Sequence, residues 1–189
     1  MSLGIESIDR LRLNVAFGSR FDEAWTVRTD SRLLVIDDDE HHLSRFSDDQ
    51  EDEDRALVVL NDEHRVITLV AIDHKLIDNH EGGIADCAVF DEKKLEFVEF
   101  KTNAYGNSEE AIRDTFDKAC RQLKETLIVF KNQLLAIGVD LFQTMIVECR
   151  IVVAHRFPRA TATKQDYRLQ FASETNGIEL FFERQVRFV

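Results

Sequence analysis

The sequence predicts an α/β protein: a central mixed β-sheet flanked by helices, with strand-rich segments at both ends. Three observations carry this. The 189 residues are 44% apolar and 32% charged, which is ordinary for a soluble globular chain and excludes a disordered or collagen-like one. A chain of this length can bury one good core, so residues 1–189 read as a single domain. The middle of the chain runs strand, strand, helix, strand, an order that sets helices against a sheet.

The elements follow in order. The first 36 residues hold short apolar pieces: LRLNVAF (Leu11 to Phe17), a turn of helix near Phe21 to Trp25, and LLVI (Leu33 to Ile36). They read as a strand-rich N-terminal part. ALVVL (Ala56 to Leu60) and VITLVAI (Val66 to Ile72) are two strands, and the turn-like NDEHR between them suggests a hairpin. After the glycine-containing DNHEGG come IADCAVF (Ile84 to Phe90) and LEFVEFKT (Leu95 to Thr102), separated by a tight turn over Asp91 to Lys94. Ser108 is a good helix N-cap, with Glu109 and Glu110 in the first turn. Ile112, Phe116, Ala119, Cys120, Leu123 and Leu127 then fall at helical spacing. This helix runs toward Ala136, and Gly138 is a fitting stop. TMIVECRIVVAH (Thr144 to His155) reads as a long buried strand. In the tail, YRLQFA (Tyr167 to Ala172) and IELFFER (Ile178 to Arg184) flank Asn176-Gly177, the preferred hairpin dipeptide. No internal repeat is visible.

The formal net charge is −12, and it is unevenly spread. The stretch 37–54 holds ten acids and one base, Arg45, a net of −9. A run this acidic repels itself and stays solvated, so it is expected to form a mobile surface loop. It could instead dock a basic partner or mimic nucleic acid over a basic groove. His41 and His42 beside these carboxylates could bind a metal, although adjacent loop histidines are usually incidental. The opposite bias lies at Arg150 to Arg168, with five bases against Asp166. Its tip, HRFPRATATK, places Arg156 and Arg159 around Phe157 and the single proline, Pro158. Such a loop can touch a phosphate backbone and stack on a base, or be a plain solvated loop. No stretch is apolar enough to span a membrane, and the first residues carry no signal-peptide pattern. Cys87, Cys120 and Cys149 sit among apolar neighbours. They read as reduced core thiols of a cytoplasmic protein.

The chemistry concentrates in the Ile84–Thr102 hairpin. With the turn centred between Glu92 and Lys93, Phe90 faces Leu95, Ala88 faces Phe97, Asp86 faces Glu99 and Ile84 faces Lys101. Directly paired residues share a sheet face, so Asp86, Glu99 and Lys101 project together. Two opposed carboxylates repel, and burying them in an apolar sheet is costlier still unless something positive joins them. A hard divalent cation such as Mg²⁺ or Mn²⁺ would do so. Lys101 could then orient a water or stabilise charge building on a phosphate. Metal-activated water plus a cation facing a phosphodiester describes a hydrolytic nuclease site. The bland alternative is that Lys101 merely neutralises two acids at a strand end.

Gly83-Ile84-Ala85-Asp86, twelve residues, then Glu99-Phe100-Lys101, followed by a helix and a strand, resembles the PD-(D/E)xK nuclease superfamily. The resemblance covers residues 72–155, and Ala85 stands where the signature has proline. It implies a restriction-endonuclease-like core in which Asp86 and Glu99 bind Mg²⁺ or Mn²⁺ and Lys101 assists the attacking water. The backbone carbonyl of Phe100 would be a further ligand. Some members carry a glutamine and a tyrosine one turn apart on the following helix; Gln122 matches the first and Thr126 replaces the second. Lys118 and Gln122 share a helix face and could approach substrate or face solvent. With Arg156 and Arg159 they are the candidate substrate contacts. The family's upstream helical acid has three candidates, Glu23, Glu40 and Glu81.

Other chemistries fit less well. There is no phosphate-binding glycine loop, no G-x-S-x-G and no paired CxxC, and the six histidines lack zinc-site spacing. The expected function is a metal-dependent nuclease, acting on DNA before RNA. The alternative is an inactive nuclease-like module that binds a partner protein or a second copy of itself.

Overall fold

A computed structural model describes residues 6–38, 40–78, 82–104, 108–154 and 161–189. The described residues begin with three short helices, α1 (Glu6–Leu11), α2 (Leu13–Phe17) and α3 (Ser19–Asp22); α1 and α2 stand where the sequence suggests strand, and α3 overlaps the helical turn expected near Phe21. Arg12 breaks the first two apart in a left-handed conformation, φ 51°. This resets the helical phase, so Leu11 and Leu13 are both fully buried while Val15 is half exposed. Strands β1 (Trp25–Arg28), β2 (Arg32–Asp38) and β3 (Leu43–Ser47) follow, then a 3₁₀ helix (Gln50–Asp54) and β4 (Leu57–Leu60).

The described residues of the acidic stretch 37–54 are therefore the end of β2, a turn, β3 and the 3₁₀ helix rather than one continuous loop. Five of its carboxylates, Asp38, Asp48, Asp49, Asp52 and Glu53, accept from nearby donors. Asp38 accepts from Arg45 Nε at 2.6 Å and from the N–H groups of Glu40 and His41 at 3.0 and 3.2 Å. Asp49 caps the 3₁₀ helix, and Asp52 holds Arg55 and the Ser47 hydroxyl. Arginines outside the stretch, Arg28 and Arg32, reach Asp48 and Glu53. Charge repulsion loses to this dense pairing.

The rest comprises β5 (Ile67–Ala71), β6 (Cys87–Phe90), β7 (Lys94–Lys101), α4 (Glu109–Ala136), α5 (Leu141–Thr144), β8 (Ile146–Val153), α6 (Thr161–Glu174), β9 (Glu179–Phe181) and β10 (Gln185–Arg187). Two mixed sheets result, with orders β1-β5-β6-β7-β8-β9 and β10-β4-β2-β3. One face of the larger sheet (Ala88, Phe90, Leu95, Phe97, Ile151) packs under α4 through Phe116, Leu123, Leu127 and Phe130. Its other face (Leu69, Cys87, Val89, Val98, Val152) packs on Leu33, Val35, Leu57, Val59 and Val186 of the smaller sheet. The fold is thus three layers: helices, six strands, four strands.

Helix α4 begins and ends as its sequence signals. Ser108 Oγ accepts from Ala111 N–H, and Gly138, at φ 80°, follows the last turn. β7 and β8 run parallel, joined by this helix. Two expected hairpins are absent. β4 and β5 lie in different sheets and meet face to face, because each carries a fully apolar face toward the same core. The segment YRLQFA is part of α6: Tyr167 and Phe171 share its inner side, while Leu169 is 63% exposed. Asn176 and Gly177 do adopt positive φ, 57° and 94°, but they close α6, with Gly177 N–H bonded to Ala172 O. β9 then pairs parallel to β8. Both ends mix helix with strand: α1–α3 precede β1 and β2 at one, and α6 precedes β9 and β10 at the other. All three cysteines are buried and free. Among the described residues no helix is long and apolar enough to cross a membrane.

Candidate active site

The β6–β7 register is the one read from the sequence: Phe90 pairs with Leu95, Ala88 with Phe97 and Cys87 with Val98. The ladder stops there. Asp86 lies just before β6, and its carboxylate takes the next amide, accepting from Phe100 N–H at 2.5 Å. The Asp86 main-chain carbonyl accepts from Ile72 N–H at 2.8 Å, which ties it to the end of β5.

Helix α4 fixes the approach to Asp86. Gln122 Nε2 donates to Ile84 O at 3.0 Å, and Thr126 Oγ1 accepts from Ala85 N–H at 2.8 Å. Gly83, at φ 82°, passes so close that a Cβ there would stand 3.0 Å from Gln122 Cγ. Glycine is required on both counts, conformation and space. The amide of Gln122 also accepts from Lys101 Nζ at 3.0 Å. Gln122 is 7% exposed and its amide is taken up on both sides, so it braces the site and is not a substrate contact. Lys118, one turn earlier, is exposed and lines a cleft.

Glu99 is 1% exposed, two residues before the end of β7. Its Oε1 pairs with Lys101 Nζ, while Oε2 is buried with no hydrogen-bond partner. Burial pushes its carboxyl up to about 7, against the pull of Lys101 and with help from Asp37 and Asp73. The Asp86 carboxyl is also raised, by burial first and then by Glu99 and Asp37, with the Phe100 N–H and Lys101 opposing. Without a cation, both acids are held toward their neutral forms. The Phe100 ring packs in the core between the sheets.

Asp37 and Asp73 are site residues that the sequence reading missed. Asp37 ends β2 and Asp73 follows β5. With Asp86, Ser44, His42 and His74 they line a cavity of about 90 Å³. The usable signal was an acid placed directly after an apolar strand run, LLVI-Asp37 and VITLVAI-Asp73. Glu23 and Glu40 are exposed and line neither cavity. Glu81, Arg156 and Arg159 lie outside the described residues.

Two arginines that flank the tip of the basic segment are taken up in ion pairs. Arg150 is 3% exposed and pairs with the buried Glu96, and Arg168 pairs with Glu183. His41 is drawn to Asp38, and the His42 and His74 rings meet edge to face at 6.2 Å. Among the described residues no three His, Cys, Asp or Glu side chains already converge to hold a metal. Burial raises the thiols of Cys87 and Cys149, and that of Cys120 to about 12, which keeps them protonated and poor nucleophiles. No family model, curated protein or solved structure matches this chain.

Proposed function

We propose that the chain is a metal-dependent nuclease that hydrolyses phosphodiester bonds, in DNA rather than RNA, on a restriction-endonuclease-like core. The observation that carries this is Glu99: a carboxylate buried in a central strand, one oxygen without a partner, beside a second carboxylate whose pKa is also raised. An orphaned buried acceptor costs about 1–3 kcal/mol, and a cation would relieve it. The residues fit Mg²⁺ or Mn²⁺, because Mg²⁺ is commonly held by one or two carboxylates and keeps several waters. Asp86, Glu99 and the Phe100 carbonyl would hold it, and when bound it would supply Lewis acidity toward a phosphate oxygen and a water.

The chain's own residues do the rest. Phe100 N–H fixes one Asp86 oxygen and leaves the carboxylate aligned with the end of β7. Gln122 holds Lys101 in place from the helix side. Once Glu99 has another positive partner, the Lys101 ammonium is free to orient the attacking water and to offset charge building on the phosphate. A cytoplasmic setting, which keeps thiols reduced, agrees with three buried free cysteines.

The test is cleavage of labelled DNA with Mn²⁺. Asp86→Ala and Glu99→Ala should each abolish it while circular dichroism stays native. Full activity in either variant would sink the proposal. One observation favours a second reading, an inactive binding or assembly module: Lys101 already satisfies one Glu99 oxygen, and among the described residues no three-ligand cluster is preformed. Calorimetry separates the two. Mn²⁺ binding that disappears in Glu99→Ala supports the enzyme, and absence of binding supports the module.

A further inference from the structure

Beside Lys101 lies a second, larger cleft of about 420 Å³. It is bounded by the chain after β7 (Thr102, Asn103), the N-terminal half of α4 (Asp114, Thr115, Lys118) and Asp37 at the end of β2. Asp37 also lines the smaller cavity that holds Asp86, so the two spaces share a wall at the proposed reaction centre. The volume lies in the range of small-ligand pockets, about 300–1,000 Å³. That is room for one nucleotide unit.

The charges on the walls point the same way. Among the described lining residues, Lys101 and Lys118 are matched by Asp37 and Asp114. A duplex presents one phosphate charge per ~1.7 Å of axis, and a protein that grips it needs a row of cations. This cleft has positive charge for one or two phosphates. Asn103 and Thr115 add polar side chains to its walls. A single strand can turn one nucleotide into such a pocket freely, whereas a duplex must first unpair and unstack it.

Building on the nuclease reading, we infer that the substrate enters as a single strand, with one nucleotide seated in the Lys101–Lys118 cleft and its phosphate at Asp86 and Glu99.

The test is fluorescence anisotropy on the full chain, with Ca²⁺ in place of Mn²⁺. The probes are a labelled DNA strand and the same strand in a blunt duplex. The single strand should bind at least tenfold tighter. Its log K against log salt should have a slope near −1, the value for one or two phosphates on a single strand. Thr115→Trp, which fills the cleft, and Lys118→Glu should each weaken it tenfold or more, with native circular dichroism checked for both. Equal or tighter duplex binding overturns the inference. So does strand binding that survives both variants, and so does no binding to either probe. Cleavage with Mn²⁺ is read separately. A duplex cut by the wild type but not by Glu99→Ala keeps the nuclease and discards the single strand. Cleft-dependent strand binding without any cleavage does the reverse.

Discussion

Asp38 and Glu99 are both nearly covered, at 5% and 1% exposed, yet their surroundings push them in opposite directions. Asp38 sits at the rim of the four-stranded sheet. Arg45 and two backbone N–H groups hold its carboxyl well below the usual range. Glu99 sits in a central strand under α4, with Lys101 on one oxygen and nothing on the other. Its carboxyl is raised. Low exposure alone therefore says little about a carboxylate. Depth and the number of donors decide whether it is a finished structural contact or an open coordination position.

The contrast can be broken most directly through activity. Glu99→Ala should remove Mn²⁺-dependent cleavage by at least about a thousandfold, an effect of the size seen when electrostatic stabilisers are lost. Asp38→Ala should leave it unchanged. A comparable loss in a folded Asp38→Ala protein would erase the distinction between the two regions.

The next effect is on stability against pH. Glu99 has a folded pKa near 7, above its unfolded value of 4.5. The stability it contributes is full below about pH 4.5 and is lost as pH rises through about 7. Urea titrations without metal should therefore show Glu99→Gln gaining on the wild type across that window, by up to about 3 kcal/mol. Added Mn²⁺ should restore the wild type at the alkaline end. A difference that stays flat with pH would contradict the raised carboxyl.

Asp38→Ala should itself cost about 2 kcal/mol, the scale of hydrogen bonds to a charged group, measured as a shift in urea midpoint. The smallest expected change is Thr126→Val, which strips the buried Ala85 N–H of its acceptor for about 1 kcal/mol. Unlike Asp38→Ala, it should also slow cleavage, because Ala85 precedes Asp86. Unchanged kcat in Thr126→Val would show that α4 does not position the acid.

The legible parts of this molecule were those set by local chemistry. A four-residue turn and the alternation around it defined the β6–β7 register, and Ser108 and Gly138 marked the span of α4. What resisted was long-range choice. Nothing local distinguishes β4 pairing with β5 from β4 packing face to face on it. Asn176-Gly177 supplies two left-handed residues whether it turns a hairpin or ends a helix. Arg12 conceals a helix break inside an apparently ordinary apolar run. Asp37 was hidden for a different reason: it belongs to a run whose composition suggested a solvated loop, and only the sheet-on-sheet packing brings it to Asp86.

The pairing of β10 with β4 joins Gln185 to Val58. The four-stranded sheet, which brings Asp37 into one cavity with Asp86, is complete only once residue 185 has been made. The strands carrying Asp86, Glu99 and Lys101 are made some eighty residues earlier. Contacts this distant in sequence form slowly. A nascent chain thus holds Asp37, both carboxylates and the lysine well before β10 closes the sheet that carries Asp37.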